Sequence, residues 1–255
     1  MRPKAIKDLL ERKLELYYND GFIADDPLQI PHQFSHKEDI QIAALLTATI
    51  AWGQRKTIIK NAREMMALMD DAPFDFILNH EQRDLNLMNH FVHRTFNSSD
   101  LIFFVSGLKH IYSDLGGLES VFKAPNSAPY LHQSIHNFRQ CMFEVPHQKR
   151  SEKHISDPLN KSAAKRLHMF LRWMVRPCKR GVDFGLWTSI KPSQLSCPLD
   201  VHTGNVARSL GLITRKQNDI LALLQLDEAL RSFDPVDPVK YDFALFGLGL
   251  NHDFV

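Results

Sequence analysis

Apolar positions recur along this chain at three- and four-residue steps, and strict apolar–polar alternation is scarce. That spacing belongs to helices that bury one face, so an all-α protein is predicted. A first helix is read over residues 3–18, stopping at the turn signal Asn19-Asp20-Gly21. Residues 22–36, with Pro27 and Pro31, read as an irregular linker. A strongly apolar helix follows over 38–52, with Glu38 and Asp39 at its start, where the helix dipole favours acids. Trp52-Gly53-Gln54 interrupts it, and a second helix covers 55–69. Residues 84–115 alternate helix and turn, 123–130 form a loop with two prolines, and 131–143 form another helix.

In the second half, Asp157-Pro158 reads as an N-cap and first helical position, which predicts a helix from there to Arg176, before Pro177. Residues 177–198 read as a long connection with a helical turn. Helices are expected over 201–210, headed by Asp200, over 217–232, and from Pro238 to the glycines at 247 and 249. With no internal repeat and no turn-rich boundary, the expected organisation is two interleaved helical lobes. One covers about 37–145; the other combines 1–36 with 146–255.

The formal net charge is +2, but residues 149–180 hold ten Lys/Arg against two acids, a local +8 that leaves −6 on the rest. A basic segment on an otherwise acidic chain fits a phosphate-backbone binder, and fits a solvated lysine-rich face equally well. The three cysteines, Cys141, Cys178 and Cys197, are odd in number and widely spaced, which argues for a reducing, cytoplasmic setting and against a disulfide framework. They are too few for a four-cysteine iron–sulfur cluster. No apolar run is long enough to span a membrane, and the N-terminus lacks the apolar stretch of a signal peptide. The thirteen histidines form no H-E-x-x-H motif; His32 and His36 have ligand-like spacing but lie in the linker. A metal-dependent hydrolase is therefore the weakest reading, and no metal or cofactor is expected.

Three segments carry a resemblance. Pro198–Leu212, PLDVHTGNVARSLGL, resembles the segment after the hairpin in helix-hairpin-helix DNA glycosylases, where an Asp, then a His two residues on, heads a helix bearing Val, Arg and a terminal Leu-Gly. An Asp at a helix N-cap is held by backbone N–H groups and can aim its free oxygen at a developing cation. Ala44–Lys56, ALLTATIAWGQRK, resembles the apolar helix whose Gln-bearing turn fills the gap left by an extruded base. Ser162–Val175 resembles the helix whose early Lys is the nucleophile in bifunctional members; Lys165 holds that place, with Lys161 and Lys179 as rivals. Lys165 and Asp200 are 35 residues apart, a spacing more like archaeal 8-oxoguanine DNA glycosylases than the common members. The whole chain also looks like a bacterial family of unknown function that shares these segments. One departure stands out: the Gly-x-Gly turn that usually precedes the lysine helix in helix-hairpin-helix glycosylases is absent, and Asp157–Ser162 contains no glycine.

The resemblance implies a base-excision glycosylase with AP-lyase activity on double-stranded DNA, acting as a monomer on a base flipped from the duplex. It implies Lys165 and Asp200 as catalytic residues. It suggests DNA contacts from Gln54, Arg55, Lys56, Lys161, Arg166 and Arg172, and a base pocket from Trp52, Trp173, Trp187 and His168. His202 would support the Asp200 turn. The alternative is a nucleic-acid-binding protein on the same scaffold without catalysis, which the glycine-free turn favours.

Overall fold

The computed structural model describes residues 2–19 and 21–250. In chain order its helices are α1 (Pro3–Tyr17), α2 (Gly21–Ala24), α3 (Lys37–Thr49), α4 (Arg55–Ala67), α5 (Pro73–Asn79), α6 (Gln82–Leu87), α7 (Ser98–Asp114), α8 (Leu118–Phe122), α9 (His132–Phe143), α10 (Lys165–Val175), α11 (Val201–Ser209), α12 (Ile220–Phe233) and α13 (Tyr241–Leu250). One hairpin, β1 (Val92–His93) and β2 (Phe96–Asn97), pairs Val92 with Asn97 and His93 with Phe96. The protein is thus all-α apart from a hairpin whose two-residue strands are too short to show a period in sequence. No helix among the described residues is long and apolar enough to cross a membrane.

The chain forms two compact units, one of Met1–Phe22, Ala124–Gln133 and Asp157–Val255, the other of Ile23–Lys123 and Ser134–Ser156. In the first, α1 and α11 both pack on α13. Helix α13 buries Tyr241, Phe243, Ala244, Leu245 and Leu248, so it is apolar nearly all round. A Cβ on Gly247 would lie 2.2 Å from the Tyr17 ring, so glycine is what lets α1 approach α13. Helix α10 buries Leu167, Phe170, Leu171, Trp173 and Met174, each worth about 1.5–3 kcal/mol for a large aliphatic or aromatic chain.

That helix begins at Lys165, not at Asp157 as the sequence suggested. Lys161 and Ala164 take φ of +69° and +41°, which breaks helical continuity. Asp157 instead caps a short 3₁₀ turn over Pro158–Asn160, accepting the Leu159 N–H at 3.0 Å. The irregular segment is held by a bridge between Ser162 and Asp219 and by the Ile220 N–H donating to the Lys161 carbonyl at 3.2 Å.

In the second unit α3 is the central helix, buried from Ile40 to Thr49. The stretch read as a linker packs against it, because the 3₁₀ turns at Pro27–Gln29 and Pro31–Gln33 bring the fully buried Leu28 and Ile30 into its core. Residues 146–156 also fold here: Arg150 and Ser151 donate to Asp100 at 2.7 and 2.6 Å. Burial would raise the Asp100 pKa, but these donors and the Asn97 N–H outweigh it and hold the carboxylate below its usual range.

Candidate active site

Asp200 is fixed from several directions. It is the N-cap of α11, its Oδ1 accepting the Thr203 N–H at 2.9 Å. Its carbonyl accepts from the Gly204 N–H and from the Asn218 side chain, each at 2.9 Å. Arg208 donates to the other end of that Asn218 amide and to the Arg215 carbonyl. A Cβ on Gly204 would meet Asn218 Oδ1 at 2.7 Å, so glycine makes room for the amide. Gly211, at φ +75°, closes α11, with the Leu212 and Gly211 N–H groups donating to Ala207 and Arg208 carbonyls. The approach to Asp200 is pinned as well: Asp227 accepts the Cys197 N–H at 3.0 Å, and Arg231 donates to the Leu195 carbonyl at 2.7 Å. The Asp–Gly–Arg–Leu-Gly pattern is therefore a set of parts that orient one carboxylate.

The carboxylate's other oxygen, Oδ2, lies 4.0 Å from Lys165 Nζ. Lys165 is the first residue of α10. The side chains are 29% and 21% exposed, so the pair stands at the edge of the unit, reachable from solvent. Electrostatics tie it to Asp242, a residue the sequence reading did not single out. Burial raises the Asp242 pKa, Arg172 opposes that, Asp200 adds to it and Lys165 counters. The available signal was an acid inside the otherwise apolar helix YDFALFGLGL.

Behind the pair runs a buried chain of alternating charges. Arg172 binds Asp242 and, at 3.2 Å, Asp183. Arg176 binds Asp183 at 2.8 Å and Asp237 at 3.0 Å. The two guanidinium groups also lie over the rings of Phe243 and Tyr18, at 4.3 and 4.5 Å. Arg172, expected on a DNA-facing surface, is thus a core residue with two carboxylate partners, out of reach of a phosphate.

Three of the four residues expected to line a base pocket are also buried. Trp173, Trp187 and His168 are each about 1% exposed and belong to the core. The apolar stripe of α10 turns inward and takes His168 with it; burial lowers its pKa to about 3. Neither ring nitrogen has a hydrogen-bond partner among the described residues. His168 meets the His132 ring edge-on at 5.6 Å. Trp52 is half-buried in the other unit, edge-on to His93. Gln54 is exposed at the N-cap position of α4 without capping it, beside half-buried Arg55 and exposed Lys56. Lys161 is exposed; Arg166 is half-buried, and desolvation lowers its pKa to about 10. His202 is exposed and meets Phe246 edge-on at 6.4 Å.

Much of the basic segment is buried or paired. Arg172 and Arg176 are buried, Arg150 and Lys149 pair with Asp100 and Glu152, and Arg180 pairs with Glu15. Lys153, Lys161 and Lys179 remain exposed. A cavity of about 200 Å³ lies instead between α1 and α13, with Tyr17, Phe22, Phe243 and Phe246 among its walls. That is smaller than pockets for drug-sized ligands, which start at about 300 Å³. Among the described residues no three His, Cys, Asp or Glu side chains are grouped to hold a metal ion. The three cysteines are free thiols.

Fold and site together define a helical protein of two compact units, with a lysine–carboxylate pair at the heads of two helices in one of them. The chain belongs to the family described as protein of unknown function DUF2400, which it matches over residues 26–251. No curated protein and no solved structure matched the chain.

Proposed function

We propose that this protein is a helix-hairpin-helix-type DNA glycosylase with AP-lyase activity, acting on a damaged base, an oxidised purine by the resemblance to the archaeal 8-oxoguanine enzymes. The observation that carries the reading is the 4.0 Å approach of Lys165 Nζ to Asp200 Oδ2 from helices whose heads are 35 residues apart in sequence. A second observation supports it. Lys161 and Ala164 adopt left-handed backbone just before the lysine, without a glycine at either position. Such strain, on the order of 1–3 kcal/mol per residue, clusters at functional sites.

In this reading the neutral Lys165 amine attacks C1′ of the flipped nucleotide as the N-glycosidic bond breaks, and the base leaves with the bonding electrons and takes up a proton. Asp200 faces the positive charge developing on the sugar and accepts the proton shed by the amine. Ring opening gives a Schiff base on Nζ, and loss of the C2′ proton expels the 3′ phosphate by β-elimination. The aromatic cavity is the place for the base. Phe246 stands one turn from Asp242 on α13, and Phe22 meets it edge-on at 6.3 Å.

Borohydride trapping tests the reading on duplexes carrying 8-oxoguanine or an abasic site. Wild type is expected to form a covalent adduct on the 8-oxoguanine duplex, Lys165→Gln none, and Asp200→Asn at least about 100-fold less. An adduct on the abasic duplex alone would show only a reactive amine. Duplex binding with no adduct on either would replace this reading with that of a non-catalytic nucleic-acid-binding protein.

A further inference from the structure

Two neighbouring turns of the Ile23–Lys123, Ser134–Ser156 unit are built into each other. The first, Trp52-Gly53-Gln54, joins α3 to α4, and Gly53 has φ +106°. The second is the tip of the β1–β2 hairpin, where Arg94 has φ +55°. Tight hairpin turns that need this conformation are normally filled by Gly, Asn or Asp. Arginine there costs about 1 kcal/mol or more of backbone strain, and an exposed arginine returns nothing to the core for it. Its side chain lies against the first turn: a Cβ on Gly53 would be 2.8 Å from Arg94 Nη1 and 3.3 Å from its Cδ. The Arg94 guanidinium therefore lies against the Gly53 turn.

The residue beneath fixes the arrangement. His93 is buried, its Nε2 sits 3.2 Å from the Trp52 carbonyl and its Nδ1 2.9 Å from Asn61 Nδ2. Burial lowers its pKa, and Arg94 lowers it further. A neutral ring thus ties the hairpin to the turn without competing for the arginine's counter-charge. Arg94 itself is exposed and has no hydrogen bond or ion pair among the described residues. It shares this surface with exposed Gln54 and Lys56.

We infer that Arg94 is a nucleic-acid contact that binds a backbone phosphate, its fork of donors held against Gly53 for bidentate approach. The inference rests on the proposed action on DNA and adds to it a residue outside the three segments that carry the resemblance. It implies that the hairpin and the Gln54 turn engage the strand as one preorganised element.

The test is fluorescence anisotropy of a labelled duplex with one tetrahydrofuran abasic analogue, titrated over a series of salt concentrations. The proteins are wild type, Arg94→Gln, Arg94→Lys, Gly53→Ala, and Lys123→Gln as a comparator of an exposed lysine in the same unit. Arg94→Gln is expected to weaken binding about tenfold and to make the log K against log salt slope shallower by about 1. Arg94→Lys should keep the slope but lose part of the affinity, and Gly53→Ala, which displaces the guanidinium, should weaken binding with the charge intact. Lys123→Gln should leave both quantities as in wild type. Equal affinity and slope for wild type and Arg94→Gln, or an equal loss in Lys123→Gln, would overturn the inference while leaving duplex binding in place. No binding by wild type would overturn both the inference and the function it rests on. Urea unfolding of each variant separates a lost contact from a lost fold.

Discussion

Lys165 and Arg172 stand two turns apart on α10, and each faces a carboxylate, yet the fold treats them oppositely. At the head of the helix Lys165 and Asp200 are 29% and 21% exposed and 4.0 Å apart, with a cap, not the lysine, holding the carboxylate. Two turns on, Arg172 is 5% exposed and bound to Asp183 and Asp242, and Arg176 extends the chain to Asp237. A partly exposed pair of the first kind adds about 0–1 kcal/mol to stability. Breaking a buried pair of the second kind costs about 3–5 kcal/mol. One helix thus divides its charges between holding the unit together and presenting an amine that the fold does not need.

That division can be broken most forcefully at Arg172. Arg172→Ala takes the guanidinium from buried Asp242, leaves Asp183 with Arg176 alone, and is expected to destabilise by about 3–5 kcal/mol in urea unfolding; a loss under about 1 kcal/mol would mean that the charge chain is not structural. Lys165→Gln should unfold within about 1 kcal/mol of wild type. Gly204→Ala falls between them. Its methyl would press on Asn218 and Arg208, which seat Asp200, so a loss of about 1–3 kcal/mol is expected, together with reduced borohydride trapping. Unchanged trapping would separate the Asn218 bridge from the reactive pair.

A pH series sharpens the contrast further. His168 and His132 have pKa values lowered to about 3 and about 4 by burial. Unfolded histidine takes up a proton below about pH 6.5 while these folded rings do not, so each draws stability down as pH falls from about 6.5 toward its folded value. Buried Asp227, raised to about 6, works in the opposite sense, because it gains a proton on folding. The difference between wild type and His168→Leu isolates the histidine. Wild type should lose about 1.4 kcal/mol more per pH unit below pH 6, and parallel curves would contradict the burial. The smallest effect is expected at Ala164, where φ is +41°. Ala164→Gly relieves about 1–2 kcal/mol of strain and gives back about 0.4–1 kcal/mol in unfolded-chain entropy, for a net gain of about 0.5 kcal/mol by thermal unfolding.

Helix periodicity made most of this fold legible, since α1, α3, α4, α9, α11 and α12 follow from the spacing of their apolar residues. The Asp200 cap was equally readable, because capping is local chemistry written in adjacent residues. What could not be read depends on partners distant in sequence. Arg172 looks like any basic position on a helix face until Asp183 and Asp242 close on it. His168 is polar by type, and only the packed fold shows that it shares its face with core residues. The late start of α10 was hidden because left-handed backbone at Lys161 and Ala164 carries no glycine to announce it. Arg94 was missed for the same reason.

The most direct test of the central assignment is to locate the trapped adduct. Wild-type protein reduced with borohydride on an 8-oxoguanine duplex would be digested, and the nucleotide-bearing peptide sequenced by mass spectrometry. The account predicts the sugar remnant on Nζ of Lys165. A remnant on Lys161, on Lys179 or on the N-terminal amine, or no remnant with the duplex bound, would contradict it.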